Sequence, residues 1–455
     1  MTRPGRLFSL TTLLLVLVAG AGPAATAAHA ETTRELTLDD ALSLAKKRNR
    51  NLTAERARLA QAETAIASAW SLLLPTVAAQ GKYTRNYRDV VFGAGIVLDP
   101  SMFPMAVPLP DQLQPKPLSI QPLNQLDAAI SFNAPLIVPA AYPGLQSVKA
   151  NVAAASANLD VSETNVLFAA AQSFYAAAIA DEVVATRHSS IDVARATLGN
   201  AKTRFAAGTV TKVDVDRAEL AMLRVEQLER EAIHGRDQAY RALATLIQAE
   251  LPFKVVSPPA DPQSPSVADG VDNVLHLRPE FRALEMTIEA ANKARRTDAL
   301  KWSPSLSAFG NARRFNYDNF VRDHHSWAVG LQLDWVIYDG GARDAQRHQA
   351  EAQAAEAEAR ALALRDSIRD DLANGRSLLE TKKHALNAAT RSVALARETL
   401  DLVRTQYEAG TVTQVDLLQA QDGLVGAQEA LAQSHLDLAV ADLALRRAAG
   451  TFPPR

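Results

Sequence analysis

Two octets 202 residues apart dominate this chain. Ala207-Gly208-Thr209-Val210-Thr211-Lys212-Val213-Asp214 returns as Ala409-Gly410-Thr411-Val412-Thr413-Gln414-Val415-Asp416, with one change in eight. Each copy follows a long, Pro-free, Ala-rich and charged stretch, Leu145 to Phe205 and Ala342 to Tyr407. At ~1.5 Å per residue a helix of that length reaches roughly 90–100 Å, which no compact globule needs. Gly208 and Gly410 suit the left-handed position just past a helix end. Thr211 and Thr413 stand three residues before Asp214 and Asp416, the spacing of a capping box. Each half of the chain is therefore expected to end in a sharp helical hairpin, with tip turns at 206–213 and 408–415.

The apolar positions say what these helices pack against. Leu372, Leu379, Leu386, Val393, Leu400 and Tyr407 fall at steps of seven. The same register in the first copy holds Ala170, Ala177, Val184, Ile191, Leu198 and Phe205. Ala389, Ala396 and Val403 give the second seam a mostly small flank, so helices can approach closely and coil about one another. After the second turn Leu417, Leu424, Leu431, Leu438 and Leu445 form a further stripe. Its first-copy counterpart, Val215, Met222, Glu229 and Arg236, is weaker. No basic region accompanies these heptads, so they read as coiled-coil packing rather than a DNA-binding zipper.

Ahead of each long helix the period changes to two. Trp327, Val329, Leu331, Leu333 and Trp335 alternate with Ala328, Gly330, Gln332 and Asp334; Ala128, Ile130, Phe132, Ala134 and Leu136 alternate with Ala129, Ser131 and Asn133. Pro75 opens a strand from Thr76 to Tyr87, with Val77, Ala79, Tyr83 and Tyr87 on one face. Pro304 opens another from Ser305 to Phe315. Four strands of about ten residues, apolar outward and polar inward, have the outer-membrane form. Four cannot close a channel, but three copies give twelve, an even number that closes. Trp327 and Trp335, near opposite ends of one strand, fit membrane-interface anchors, although a core pair would look the same.

The chain divides on this reading into a first repeat, 31–250, with a β-hairpin at 76–137, and a second, 272–455, with a β-hairpin at 305–338. A loop at 90–123 carries seven prolines, and a Pro-rich linker at 251–271 joins the halves. Arg3 and Arg6, an apolar run from Leu7 to Ala19 and Ala28-His29-Ala30 have the form of a signal peptide (1–30), expected to be cleaved after Ala30. A retained anchor is the competing reading. No later stretch approaches ~18 consecutive apolar residues, so a membrane span must be built of strands.

With no Cys, the chain has no disulfide, no thiolate site and no N-terminal lipid anchor. A net charge of −2 offers no footprint for nucleic acid. No enzyme motif stands out. Glu231-Ala232-Ile233-His234 has the spacing used by di-iron bundles but lacks its second copy. His324-His325 reads as a turn, and there is no phosphate-cradling glycine loop or nucleophile triad. Neither a metal nor another cofactor is expected, and transport energy must come from a partner.

These residues resemble the TolC-like outer membrane efflux protein family over nearly the whole chain, from Leu36-Thr37-Leu38-Asp39-Asp40-Ala41-Leu42 to Ala449. The entry helix, the two Pro-opened strands, Tyr338-Asp339-Gly340-Gly341 and both Ala-Gly-Thr-Val-Thr tips carry the likeness. The resemblance implies an α+β membrane protein: a homotrimer with a twelve-stranded barrel in the outer membrane of a Gram-negative bacterium and a coiled-coil helical tube in the periplasm. It implies a passive duct opened at its tip by a periplasmic adaptor (membrane fusion protein) and an inner-membrane pump, in efflux or type I secretion. It places the entrance carboxylate on Asp416, with Gln419 where a second acid is common. It places a tip latch on Tyr407 and Asp214, with Val412 replacing the accompanying arginine. Such an entrance is expected to open more easily and select cations less. Gly208, Thr209, Val210, Gly410, Thr411 and Val412 are the expected adaptor contacts. Read from the residues alone, Asp214 and Asp416 are helix caps and Tyr407 is seam packing. The alternative function is a periplasmic coiled-coil adaptor or scaffold that never inserts.

Overall fold

The computed structural model describes residues 34–92, 118–256, 271–318 and 323–453. The signal segment 1–30, residues 93–117 of the Pro-rich loop and residues 257–270 of the linker lie outside the described residues.

Two element series run in the same order. The first passes through helices α1 (Leu38–Arg48) and α2 (Arg50–Ser71), strand β2 (Thr76–Arg85), strand β5 (Asn124–Ile137), then helices α3 (Ala141–Ala206) and α4 (Lys212–Ile247). The second has α5 (Val271–Leu275), α6 (Pro279–Leu300), β7 (Ser305–Phe315), β8 (His325–Asp334), α7 (Ala342–Glu408) and α8 (Gln414–Ala448). Four shorter strands complete the described residues: β1 (Arg34–Leu36), β3 (Val90–Phe92), β4 (Leu118–Gln121) and β6 (Phe253–Val255).

The helices α3 and α7, of 66 and 67 residues, form the long axes, each about 100 Å long. α3 packs against α2 and α6 and then α4; α7 packs against α6 and then α8. The heptad seam is where the sequence puts it. Ile191, Ala194 and Met222 join α3 to α4 with Leu198 and Val225 beside them, and Leu379, Leu438, Ala441 and Leu445 join α7 to α8 with Leu386. Phe205, last of the first stripe, is 46% exposed because the helix ends one residue later.

The main core lies between the long helices' two ends. Leu167, Ala170, Ala171, Phe174, Ala177 and Ala178 of α3 meet α1, α4 and the β1–β6 pair. α3 holds an 18-residue window apolar enough to cross a membrane, a third of it buried within the chain. Each series also has a helix break pinned to the end of its own return helix. The Asn49 side chain accepts from Asn51 N and Leu52 N and donates to the Leu246 carbonyl at 3.0 Å. Arg278, buried ahead of Pro279, donates to the Ala448 carbonyl at 3.1 Å.

Three expectations are corrected. The Pro-rich linker expected at 251–271 holds a short strand near its start: Phe253–Val255 pairs in parallel with Arg34–Leu36, because Phe253, Val255 and Leu36 all reach the core. The stretch 90–123 is not loop throughout, since β3 and β4 pair near its two ends. The first strand stops at Arg85, leaving Tyr87 beyond it and 98% exposed.

Candidate functional site: the strand sheet and the hairpin tips

β2, β5, β7 and β8 form one antiparallel sheet in the order β2-β5-β7-β8. The register fixes its faces. Val77 lies opposite Phe132 and Phe132 opposite Gly310; Gly310 in turn lies opposite Val329. The next rung runs through Ala79, Ile130, Ala312 and Trp327. This face is apolar along every strand, and Val77, Ile130, Trp327, Val329, Leu331 and Leu333 are between 58% and 73% exposed. A soluble domain buries such a face. The other face carries Gln80, Lys82, Asp127, Ser131, Asn133, Asn311, Arg313 and Gln332, with Arg313 reaching Asp127 at 3.6 Å. Two large apolar groups join it: Phe315 opposite Asp127, and Phe309 over Gly330, where an added Cβ would meet the ring at 3.0 Å.

Aromatics stand at all four joints between strands and helices. Trp70 precedes β2, Tyr142 follows β5, Trp302 precedes β7, and Trp335 with Tyr338 follows β8; all are at least 45% exposed. Trp335 lies just past its strand and donates from Nε1 to the Trp302 carbonyl at 3.2 Å, while Trp302 stacks under Arg343 at 4.1 Å. Trp327 sits near the opposite end of β8. The sequence reading named only Trp327 and Trp335 of this set. The others were visible as aromatics within six residues of a strand end.

At the far end of the helices the two tips have nearly the same build. Gly208 and Gly410 take φ of 74° and 78°, a conformation glycine adopts without strain. The amides of Thr209 and Thr411 close back on the carbonyls of Arg204 and Gln406 at 3.0 Å, as in a Schellman ending. Thr209, Gly208, Gly410 and Thr411 are exposed, and Val210 and Val412 partly so. Asp416 accepts from the amide of Thr413 at 2.8 Å and its hydroxyl at 2.6 Å, and its own amide returns to that hydroxyl at 3.4 Å. The Thr413 hydroxyl, then the amide, holds the Asp416 carboxyl below the usual carboxylate range. No ion pair among the described residues neutralises it. Gln419 is exposed one turn on.

Asp214 is engaged in the same way, taking the Thr211 amide at 3.0 Å and hydroxyl at 2.7 Å. Those bonds, with Arg217 further off, hold its carboxyl low. No hydrogen bond joins Tyr407 to Asp214 among the described residues. Its ring lies under the guanidinium of Arg204, 4.7 Å from the centroid. Sequence reasoning missed Arg204, one of many arginines on these helix surfaces. The octets' single difference also separates the tips. Lys212 is exposed and reaches Asp216 at 3.2 Å, whereas Gln414 is buried with neither carboxamide atom bonded among the described residues.

Comparison with known proteins agrees with this geometry. The chain matches the family described as outer membrane efflux protein over residues 41–249 and 270–451. It is 28% identical over 323 residues to the outer membrane efflux protein BepC of Brucella suis, covering 68% of this chain and 70% of that one. It is 24% identical over 261 residues to the alkaline protease secretion protein AprF of Pseudomonas aeruginosa, covering 55% and 54%. The solved structure of the outer membrane protein VceC from Vibrio cholerae superposes with a TM-score of 0.71 at 17% identity, covering 91% of this chain and 96% of that one. The open state of the MtrE outer membrane channel of Neisseria gonorrhoeae gives 0.73 at 20% identity, covering 91% and 88%. With both series of elements inside the family match, this chain belongs to the outer membrane efflux protein family.

Proposed function

We propose that this protein is a passive exit duct across the outer membrane of a Gram-negative bacterium, working as a homotrimer with a periplasmic helical extension. The observation that carries this reading is the sheet: one exposed apolar face, one polar face, and two unpaired edges, β2 and β8. Alternation along the order makes those edges antiparallel to each other. The β8 edge of one copy can therefore take the β2 edge of the next without breaking the pattern. Three copies close twelve strands with no free edge, as lipid requires. An adaptor or scaffold that stays in the periplasm would leave the apolar face in water.

The polar face then lines a wet lumen, and the aromatics at the strand ends sit at the membrane interfaces. The helices extend the duct about 100 Å from the inner interface. At their tips Asp416 supplies one carboxylate per chain to the entrance and Gln419 none. Three unpaired carboxylates attract cations into a narrow opening. The exposed turns at Gly208, Thr209, Val210 and at Gly410, Thr411, Val412 are the surface offered to an adaptor, which couples the duct to an inner-membrane pump. Relatives named for efflux and for protease secretion support this class of partner.

Single-channel recording of the purified protein, beside Asp416→Asn, tests the reading. Discrete openings with a cation bias that the substitution weakens are expected. Absence of openings from folded, membrane-inserted protein would overturn it.

A further inference from the structure

The two hairpins of one chain meet along a seam between α3 and α7–α8, and its cross-links are polar. Highest on the seam Arg187 pairs with Glu429, both side chains mostly covered. Nearer the tip Gln421 donates to the Thr197 hydroxyl at 3.0 Å. At the tip Arg204 donates to the carbonyls of Tyr407 and Glu408, each at 3.4 Å, with its guanidinium over the Tyr407 ring. Between these links a cavity of about 120 Å³ remains, lined by Val193, Ala194, Ala218, Leu400, Leu418 and Val425 among others. Apolar packing is thus incomplete where the hairpins approach their tips.

We propose that Arg204 is the latch holding the second hairpin against the first, with the ring of Tyr407 as its seat. This rests on the duct reading above and names the residue that keeps the duct shut. The physical case has three parts. The final carbonyls of α7 form the negative end of its dipole, so a cation placed across them is favoured, and the Tyr407 carbonyl shares its acceptor capacity between Arg204 and the Gly410 amide at 3.1 Å. A planar guanidinium can serve two carbonyls and one aromatic face together, which an ammonium cannot. The alternatives nearby are weaker: Asp214 gives Oδ2 to its own cap and holds Oδ1 3.9 Å from Arg217, while Val412 offers no charge. Splaying the second hairpin outward breaks the Arg204 contacts first, then Thr197–Gln421. Arg187–Glu429 remains as the limit of the movement.

In this latch the Tyr407 ring does the holding, since its hydroxyl makes no hydrogen bond among the described residues. Purified full-length wild type, Arg204→Met, Arg204→Lys, Tyr407→Phe and Tyr407→Leu are compared by open probability in planar bilayers, each first checked for helix content and membrane insertion. Loss of the latch raises the open population about fivefold per chain, and about a hundredfold if three tips open together. Arg204→Met and Tyr407→Leu are expected to show that rise and Arg204→Lys part of it, while Tyr407→Phe behaves as wild type. The Arg204→Met/Tyr407→Leu double variant should exceed neither single one, because both remove the same contact. Wild-type openings left unchanged by Arg204→Met and Tyr407→Leu keep the duct and overturn the latch. An effect of Tyr407→Phe equal to that of Tyr407→Leu would move the latch to the hydroxyl and overturn it as well. No current from any of the five removes the duct and the latch with it.

Discussion

Val329 sits at the centre of β8, four residues from His325 and five from Asp334, with its side chain on the apolar face and 73% exposed. At ~3.4 Å per residue those ends lie about 14 and 17 Å away along the strand. At a tilt of about 45° they are roughly 10 and 12 Å away in depth, which puts Val329 near the middle of a ~25 Å apolar band. An arginine at the midplane of such a barrel costs about 2–4 kcal/mol, hence about 6–12 kcal/mol for three copies. Val329→Arg also removes the methyl that covers Gly310. Ala328, its neighbour in sequence, lies on the polar face opposite Asn311, and Ala328→Arg should cost less than about 1 kcal/mol. Urea titration of protein folded into phosphatidylcholine vesicles measures both. Equal costs, or a larger cost at Ala328, would refute the assignment of the two faces.

Four further outcomes are expected. The cation bias supplied by Asp416 should stay level from pH 8 to 5, because its lowered pKa keeps it charged until acid passes below the ordinary carboxylate value; Thr413→Ala removes the hydroxyl bond, the first cause of that lowering, and leaves the amide bond, so the bias should fade at somewhat higher pH in reversal-potential measurements. Tyr240 donates to Asp181 at 2.5 Å and accepts from Val255 N at 3.2 Å, so Tyr240→Phe orphans a buried amide and should lower stability by about 1–3 kcal/mol in chemical denaturation. Burial, then the bond to Asp181, pushes the Tyr240 hydroxyl up to about 12; folded above unfolded, its contribution is complete below about pH 10 and lost as pH rises through 12, a loss the Phe variant should not share. At Gly450, φ is 69° and an added Cβ would stand 2.7 Å from Leu277 Cβ. Gly450→Ala should therefore cost about 3 kcal/mol in thermal unfolding against about 1 for Gly410→Ala, whose surroundings are open.

The long helices and the main sheet were legible because each has a period that local chemistry enforces over many residues. Seven-residue spacing from Leu372 to Tyr407 and two-residue spacing from Trp327 to Trp335 leave little choice of fold. The tips were legible for a different reason: glycine at the left-handed position and Thr three residues before Asp act within one turn. The β1–β6 pair was not legible. Three residues at Arg34–Leu36 and three at Phe253–Val255 carry no period, and only the core between them says that they pair. The Tyr407–Asp214 pairing came from resemblance, and what the local sequence itself specifies for Asp214 is the cap on its own helix. Arg204 could not be singled out, because its partners are carbonyls and a ring some two hundred residues away.

The central claim, a water-filled passage lined by one face of the sheet, is tested most directly by blocking it. The chain contains no cysteine, so Ala328→Cys and Val329→Cys each introduce a single thiol. Planar-bilayer current through both is recorded before and after a charged, water-soluble thiol reagent. The expected result is discrete current that falls in the Ala328→Cys protein and holds in Val329→Cys. No current, or a block at Val329→Cys with none at Ala328→Cys, would contradict the account.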